Sequence, residues 1–274
     1  MPDDGMFAVS LERQPAVPLQ KVIDPADWNG EQLARANDWK FTLTATEIAE
    51  IDAAIAGVEA RGLEIKDIKR EDFPLPTLDA KLADMKAQIM DGHGLAVLKG
   101  LPVDRYDTKR AAIAYWGIAR RVGRQVSQNF MGHLLGHVYD LVGADRGAHP
   151  SYRAYHTSAE LGFHSDSSDV VVLLCMQPAK TGGGNRLAST VAIYNEMLKR
   201  RPDLVEELVK PWYRDRREEI PPGKDPWWQL PVFNFADGHL SAFSSNYYIR
   251  SAERFTELPR FTEKQIEALD MMDT

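Results

Sequence analysis

The period of the hydrophobic pattern changes once along this chain, near Gly123, and that change constrains the architecture most. Before it, apolar residues recur every three to four positions, as on an amphipathic helix. Ile48, Ile51, Ile55 and Val58 share one face, and so do Leu78, Leu82, Met85 and Ile89. Thr44 and Glu47 have capping-box spacing, and Gly62 stands where a left-handed cap belongs. These signals predict a helix from Thr44 to Gly62, a second over 78–90 closed by Gly92 and Gly94, and a third over 108–122. Residues 95–98 read as a buried strand. After Gly123 the apolar runs are short and separated by Gly, Pro, Asp or Ser. The segments 138–142, 170–176, 231–235 and 240–244 read as strands, with Asp237-Gly238 as a hairpin turn between the last two. A helix over 190–200, opened by Ser189 or Thr190, interrupts them, and a shorter one follows Pro202. The mixed charge run 214–219 reads as solvated surface. Residues 221–231 read as a loop, and residues 1–43 as an irregular arm with short strands at most. Helices first and short strands after predict an α+β fold on an antiparallel barrel or sandwich.

Composition narrows the function classes. The 274 residues carry a net charge of −7, so no broad basic face is expected and nucleic acid is not an expected partner. A single cysteine, Cys175, excludes an internal disulfide framework and a cysteine-based zinc cluster, and suits a reducing cytoplasm. Within its apolar run Cys175 reads as a small hydrophobe. No run approaches the roughly 18 apolar residues of a membrane span. The acidic start, Met1 to Gly5, is unlike a signal peptide. A soluble cytoplasmic protein acting on a small molecule is the expectation, with self-association left open.

The chemistry concentrates at Phe163-His164-Ser165-Asp166. On extended backbone, side chains at i and i+2 point to one face, so the His164 imidazole and the Asp166 carboxylate can converge on one ion. With one more histidine they would form the two-His, one-carboxylate face that leaves coordination positions open for co-substrate and oxygen. Alone, His-x-Asp is a weak signal, equally compatible with a turn capped by an aspartate. Its context is more specific. The run FHSDSSDVVVLLCMQPAKTGGGNRLASTVAIYNEM, with the later PVFNFADGHLSAFSSNYYIRSAERF, resembles the taurine dioxygenase-like (TauD/TfdA) family of Fe(II)- and 2-oxoglutarate-dependent oxygenases. In that family His-x-Asp enters a buried strand, and a glycine-rich turn and then a Ser or Thr follow. Here Gly182-Gly183-Gly184 supplies the turn, and Ser189 and Thr190 lie 23 and 24 residues after Asp166.

The resemblance implies a double-stranded β-helix, a jelly-roll of the clavaminate synthase-like type, with flanking helices. Residues 1–90 would be an arm and helices packing on the barrel, and 91–274 one oxygenase unit. His164 and Asp166 would hold Fe(II), and Ser189 or Thr190 would hydrogen-bond the distal carboxylate of 2-oxoglutarate. The implied reaction consumes O2, decarboxylates 2-oxoglutarate to succinate and hydroxylates a small polar or anionic organic substrate. A carboxylate at position 166 argues against halogenase chemistry. Gln128 and Asn129 lie where family members contact substrate, although a hydrogen-bonded amide pair is the simpler reading. Tyr155 and His156 precede the motif and are candidates for the pocket mouth.

The third metal ligand is harder to place. Only His239 follows Asp166, with Arg250 eleven residues later. That interval suits the family's histidine and its 2-oxoglutarate-binding arginine. However, His239 comes 50 residues after Ser189, where the family has more than a hundred, and it directly follows the turn Asp237-Gly238. His239 and Arg250 are therefore secondary candidates. Thr262 and Gln265 open a helix through Ile266 and Leu269, but Asp270 and Asp273 fall in its last turn, where the helix dipole disfavours them. The expectation is that the last barrel strands, the third histidine and its arginine lie beyond residue 274. Two other readings stay open: a zinc-type metallohydrolase using His133, His137 and His164, and a non-catalytic remnant of the oxygenase fold.

Overall fold

In the computed structural model, residues 12–129, 131–140, 158 and 160–273 are described. The first half folds as α1 (Gly30–Arg35), β1 (Lys40–Thr42), α2 (Ala45–Arg61), α3 (Leu78–Asp91), β2 (Val97–Lys99) and α4 (Thr108–Val122). Helix α2 starts and stops as its sequence predicts. Thr44 Oγ1 accepts from the Glu47 amide, the Glu47 carboxylate accepts from the Thr44 amide at 2.7 Å, and Gly62 closes the helix at φ 62°. Such a cap contributes about 1 kcal/mol. Glu47 is buried. Burial pushes its carboxyl up, but the bond from Lys81 Nζ at 2.6 Å and those from Thr44 outweigh it and hold the group below its ordinary value. Glu50, one turn on, accepts from the Thr77 and Leu78 amides, so α2 supplies the N-terminal cap that α3 lacks from its own side chain.

These helices enclose one core, built on Ile51, Ile55, Phe73, Leu78, Leu82, Ile113 and Trp116. Helix α4 lies against the Phe73 ring through Gly117, where a Cβ would overlap the ring. Phe73 is fully buried and has nowhere to move. Gly117→Ala is therefore expected to cost about 1–3 kcal/mol despite alanine's better helix propensity, as overpacking does. A denaturant midpoint equal to or above that of the parent would refute this.

The second half contains α5 (Thr190–Arg200), α6 (Pro202–Leu208), β3 (Trp212–Asp215), β4 (Trp227–Leu230), β5 (Phe233–Ala236), β6 (His239–Ala242), α7 (Asn246–Ser251) and α8 (Glu263–Asp273). Pro202 opens α6, where its fixed φ suits a first turn. Tyr194, Leu204, Val205, Leu208, Trp212, Phe233, Ile249 and Leu269 form a second core. β3 and β4 pair antiparallel, as do β5 and β6, the latter through Asp237 (φ 50°) and Gly238 (φ 76°), both left-handed as a two-residue hairpin turn requires. The N-terminal arm ties the halves together. Val22 sits in the second core and bonds the Asn195 side chain, while Trp28 Nε1 donates to the His93 carbonyl beside the first. No helix among the described residues is long and apolar enough to cross a membrane.

The class is α+β, with helices and three two-stranded sheets among the described residues. Several expectations need correction. The arm contains α1, six residues capped by Asn29 and Gln32, too short for periodicity to reveal. The strand expected at 95–98 is β2, paired only with β1 and half open to solvent. The loop expected over 221–231 contains β4, because β3 offers a pairing edge. The segment 170–176 joins no ladder. Val170, Val172 and Leu174 are half-buried, whereas Val171 and Leu173 are 50% and 70% exposed. Cys175 falls on that open face and is exposed rather than core. Residues 138–140 form no strand, and 141–142 lie outside the described residues.

The charge run is not all surface either. Arg214 and Asp215 are buried. Asp215 pairs with Arg254 Nε at 2.8 Å, and Arg214 bonds the carbonyls of Leu230, Pro231 and Phe243. Burial pulls the Arg214 guanidinium down to about 10, which leaves it charged at neutral pH.

Candidate metal centre

His164, Ser165 and Asp166 run beside the end of the β5–β6 hairpin. Ser165 holds them there by three hydrogen bonds. Its amide donates to the Ser244 carbonyl at 2.9 Å, its hydroxyl donates to the Ala242 carbonyl at 3.1 Å, and its Oγ accepts from the Ser244 amide at 2.7 Å. The Ser165 side chain thus turns towards the hairpin. Its two neighbours, His164 and Asp166, are both exposed. The imidazole is also oriented. Nδ1 lies 2.8 Å from the Gly162 carbonyl, which can only accept, so Nδ1 carries the proton and Nε2 is the nitrogen left for another partner. A backbone carbonyl on the far nitrogen is the usual way a metal-binding histidine is held.

The donor chemistry suits Fe(II), with one imidazole nitrogen and one carboxylate. Among the described residues no group of three His, Cys, Asp or Glu is close enough to hold a metal. His239 does not join them. It is exposed at the start of β6, and its Nδ1 lies 3.4 Å from an Arg13 nitrogen. Arg250 donates to Asp270 on α8 at 2.6 Å. His133 and His137 lie on non-helical backbone, where four-residue spacing does not place two rings on one face, and Asn129 Nδ2 is 3.0 Å from His133 Nδ1.

The remaining candidates have local roles. Ser189 caps α5. Its Oγ accepts from the Ala192 amide at 3.0 Å and donates to the Ala26 carbonyl. Thr190 is the first residue of α5 and half-buried. Both line a cleft of about 160 Å³ with Ala26, Trp28 and His93. Gln128 donates from its amide to the His133 carbonyl and from Nε2 to Val126, and Asn129 Oδ1 accepts from the Met131 and His133 amides, which closes a turn. Tyr155 and His156 lie outside the described residues. Sequence reasoning missed the part Ser165 plays. Alternation marks it as the inward residue between two outward ones, but its partners lie 77 and 79 residues away.

The model of the taurine catabolism dioxygenase TauD, TfdA family matches residues 59–274. The chain belongs to this family. The match takes in both the His164-Ser165-Asp166 segment and the hairpin that holds it. This TauD/TfdA member is similar to the FR-33289 synthase of Streptomyces rubellomurinus, 30% identical over 243 residues, covering 88% of this chain and 70% of the relative. It is also similar to the taurine hydroxylase-like protein SAT17 of Stachybotrys chartarum, 33% identical over 246 residues, covering 88% of this chain and 62% of that relative.

Proposed function

We propose that this TauD/TfdA-family protein is an Fe(II)- and 2-oxoglutarate-dependent dioxygenase that hydroxylates a small polar or anionic organic molecule and releases succinate. The observation that carries this is the docked His164-Ser165-Asp166 segment, which spends its middle side chain on the fold and leaves the outer two exposed. His164 and Asp166 would hold the iron, with a third ligand from outside the described residues. Ser189 or Thr190 would engage the distal carboxylate of 2-oxoglutarate. Bound iron, with 2-oxoglutarate and O2, supplies the oxidising power to functionalise a C–H bond. The chain's contribution is orientation: the Gly162 carbonyl sets the His164 ring, and Ser165 fixes the backbone between the ligands. A double-stranded β-helix completing the 91–274 unit, action in the cytoplasm, and no nucleic-acid or membrane partner belong to the same proposal. One relative's name refers to taurine hydroxylation, which is in keeping with a small polar substrate.

The test is a reaction with Fe(II), 2-oxoglutarate, O2 and a panel of small organic anions. Succinate release matched to oxygen uptake and to a hydroxylated product is expected. Metal-dependent hydrolysis of a panel member without oxygen uptake would instead favour the metallohydrolase.

A further inference from the structure

Arg214 is a fully buried cation to which local patterning assigned the surface. Among the described residues its hydrogen bonds go to main-chain carbonyls: Nε to Leu230 at 3.4 Å, and Nη2 to Pro231 at 3.3 Å and to Phe243 at 2.6 Å. Its guanidinium carbon lies 4.6 Å from the centre of the Phe243 ring. The carboxylate next in sequence, Asp215, pairs with Arg254. Among the described residues no carboxylate pairs with Arg214, and a buried charge held by carbonyls is costly, so well-packed apolar residues often replace such a group without loss. Its acceptors suggest what the charge does.

The Phe243 carbonyl and the Ser244 amide belong to the same peptide group. Arg214 grips that peptide at its oxygen, at 2.6 Å, and Ser165 Oγ takes its N–H at 2.7 Å. The Ser165 hydroxyl then donates to Ala242 at 3.1 Å. The chain runs guanidinium, peptide, hydroxyl, carbonyl, and the two middle groups each both accept and donate. In such a chain a charge at one end strengthens the bonds beyond it. The Phe243 amide is fixed as well, donating to the Val232 carbonyl at 2.9 Å.

We infer that Arg214 is a positioning residue for the His164–Asp166 pair, acting through the Phe243–Ser244 peptide on Ser165. Its relevance to catalysis rests on the iron-binding reading above, whereas the mechanical link does not. Arg214 touches neither ligand.

The experiment measures amide hydrogen exchange at Ser165 and Ser244 in the full chain. The variants are Arg214→Met, Arg214→Lys, and a control, Val205→Ala, that removes buried volume from the same core. Arg214→Met is expected to speed exchange at both amides at least about tenfold, beyond what its loss of global stability explains. Arg214→Lys, which keeps the charge but loses the planar fork, should fall between Arg214→Met and the parent. Val205→Ala should leave the two amides at the rate its own stability predicts. Unchanged exchange in both Arg214 variants, or an equal local rise in Val205→Ala, overturns the link. If Arg214→Met fails to fold, Arg214→Lys against Val205→Ala decides alone. Co(II) titration supplies the second readout. Parent binding that Arg214→Met weakens about tenfold and Val205→Ala leaves intact supports the positioning role. A parent that binds no Co(II) removes the iron reading, while the exchange result still decides whether Arg214 holds the segment.

Discussion

Replacing His164 with alanine is expected to abolish iron binding while barely changing stability. Its imidazole is exposed, and among the described residues it hydrogen-bonds the Gly162 carbonyl. Surface substitutions of this kind stay within about 0.5 kcal/mol, about 1–2 °C for a chain of this size. Affinity should respond very differently. Loss of an outer partner of a metal-bound histidine typically costs about 10–100-fold, and loss of the ligand itself should cost at least about 100-fold. Anaerobic Fe(II) titration beside a thermal melt separates the two effects. Unchanged affinity with an unchanged melt would count against the whole assignment. Asp166→Asn should act in the same direction, since the amide keeps the shape and loses the charge.

Asp79→Ala is expected to produce the largest stability loss from a single side chain at the edge of the first core. Asp79 accepts from the buried Arg121 Nε at 2.8 Å and from the exposed Arg70 Nη2 at 3.0 Å. Arg121 also donates to the carbonyls of Gly117 and Phe73. These carbonyls remain after the substitution, but the counter-charge does not. Breaking a buried pair by removing one partner costs about 3–5 kcal/mol, here roughly 10 °C in the melting midpoint. The contact with Arg70 is solvent-screened and adds little. Asp79→Ala combined with Arg121→Met should recover much of the loss, because no isolated charge is then left in the core. A single variant as stable as the parent would show that the pair contributes nothing.

The same carboxylate gives a pH dependence of definite sign. Burial pushes the Asp79 carboxyl up, but the bonds from Arg121 and Arg70 more than offset it, and it is held below its ordinary value of 3.8. A carboxyl depressed in the folded state contributes stability that is complete above its unfolded value and is lost as pH falls through the folded one. Glu47 acts in the same sense from its ordinary value of 4.5. The parent should therefore lose stability as pH falls below about 4, and Asp79→Ala should lose less over that interval.

What was legible beforehand follows from how far each interaction reaches along the chain. α2, α3 and α4 were placed to within a few residues because a capping box, an αL glycine and a 3.6-residue period are all local. The pairing of His164 with Asp166 is local in the same way, an imidazole and a carboxylate two residues apart. Cys175 was misplaced because apolar neighbours say nothing about which face of an extended segment finds cover. α1 was missed because six residues carry too little periodicity.

By itself, then, the sequence determined where the helices begin and end, the change from helical to extended pattern, and the placing of an imidazole and a carboxylate two residues apart. The tertiary structure alone decided which charges are buried and what holds the donor pair in place. Arg214 belongs to the same charge run as the exposed Glu218, and it is buried only because carbonyls 16, 17 and 29 residues away converge on it. Ser165 faces the fold only because a hairpin 77 to 79 residues later presents a peptide to it. A helix period or a strand pleat reports neighbours a few residues apart. Desolvating a charge, or clamping the backbone between His164 and Asp166, depends on groups that only chain folding brings within hydrogen-bonding reach.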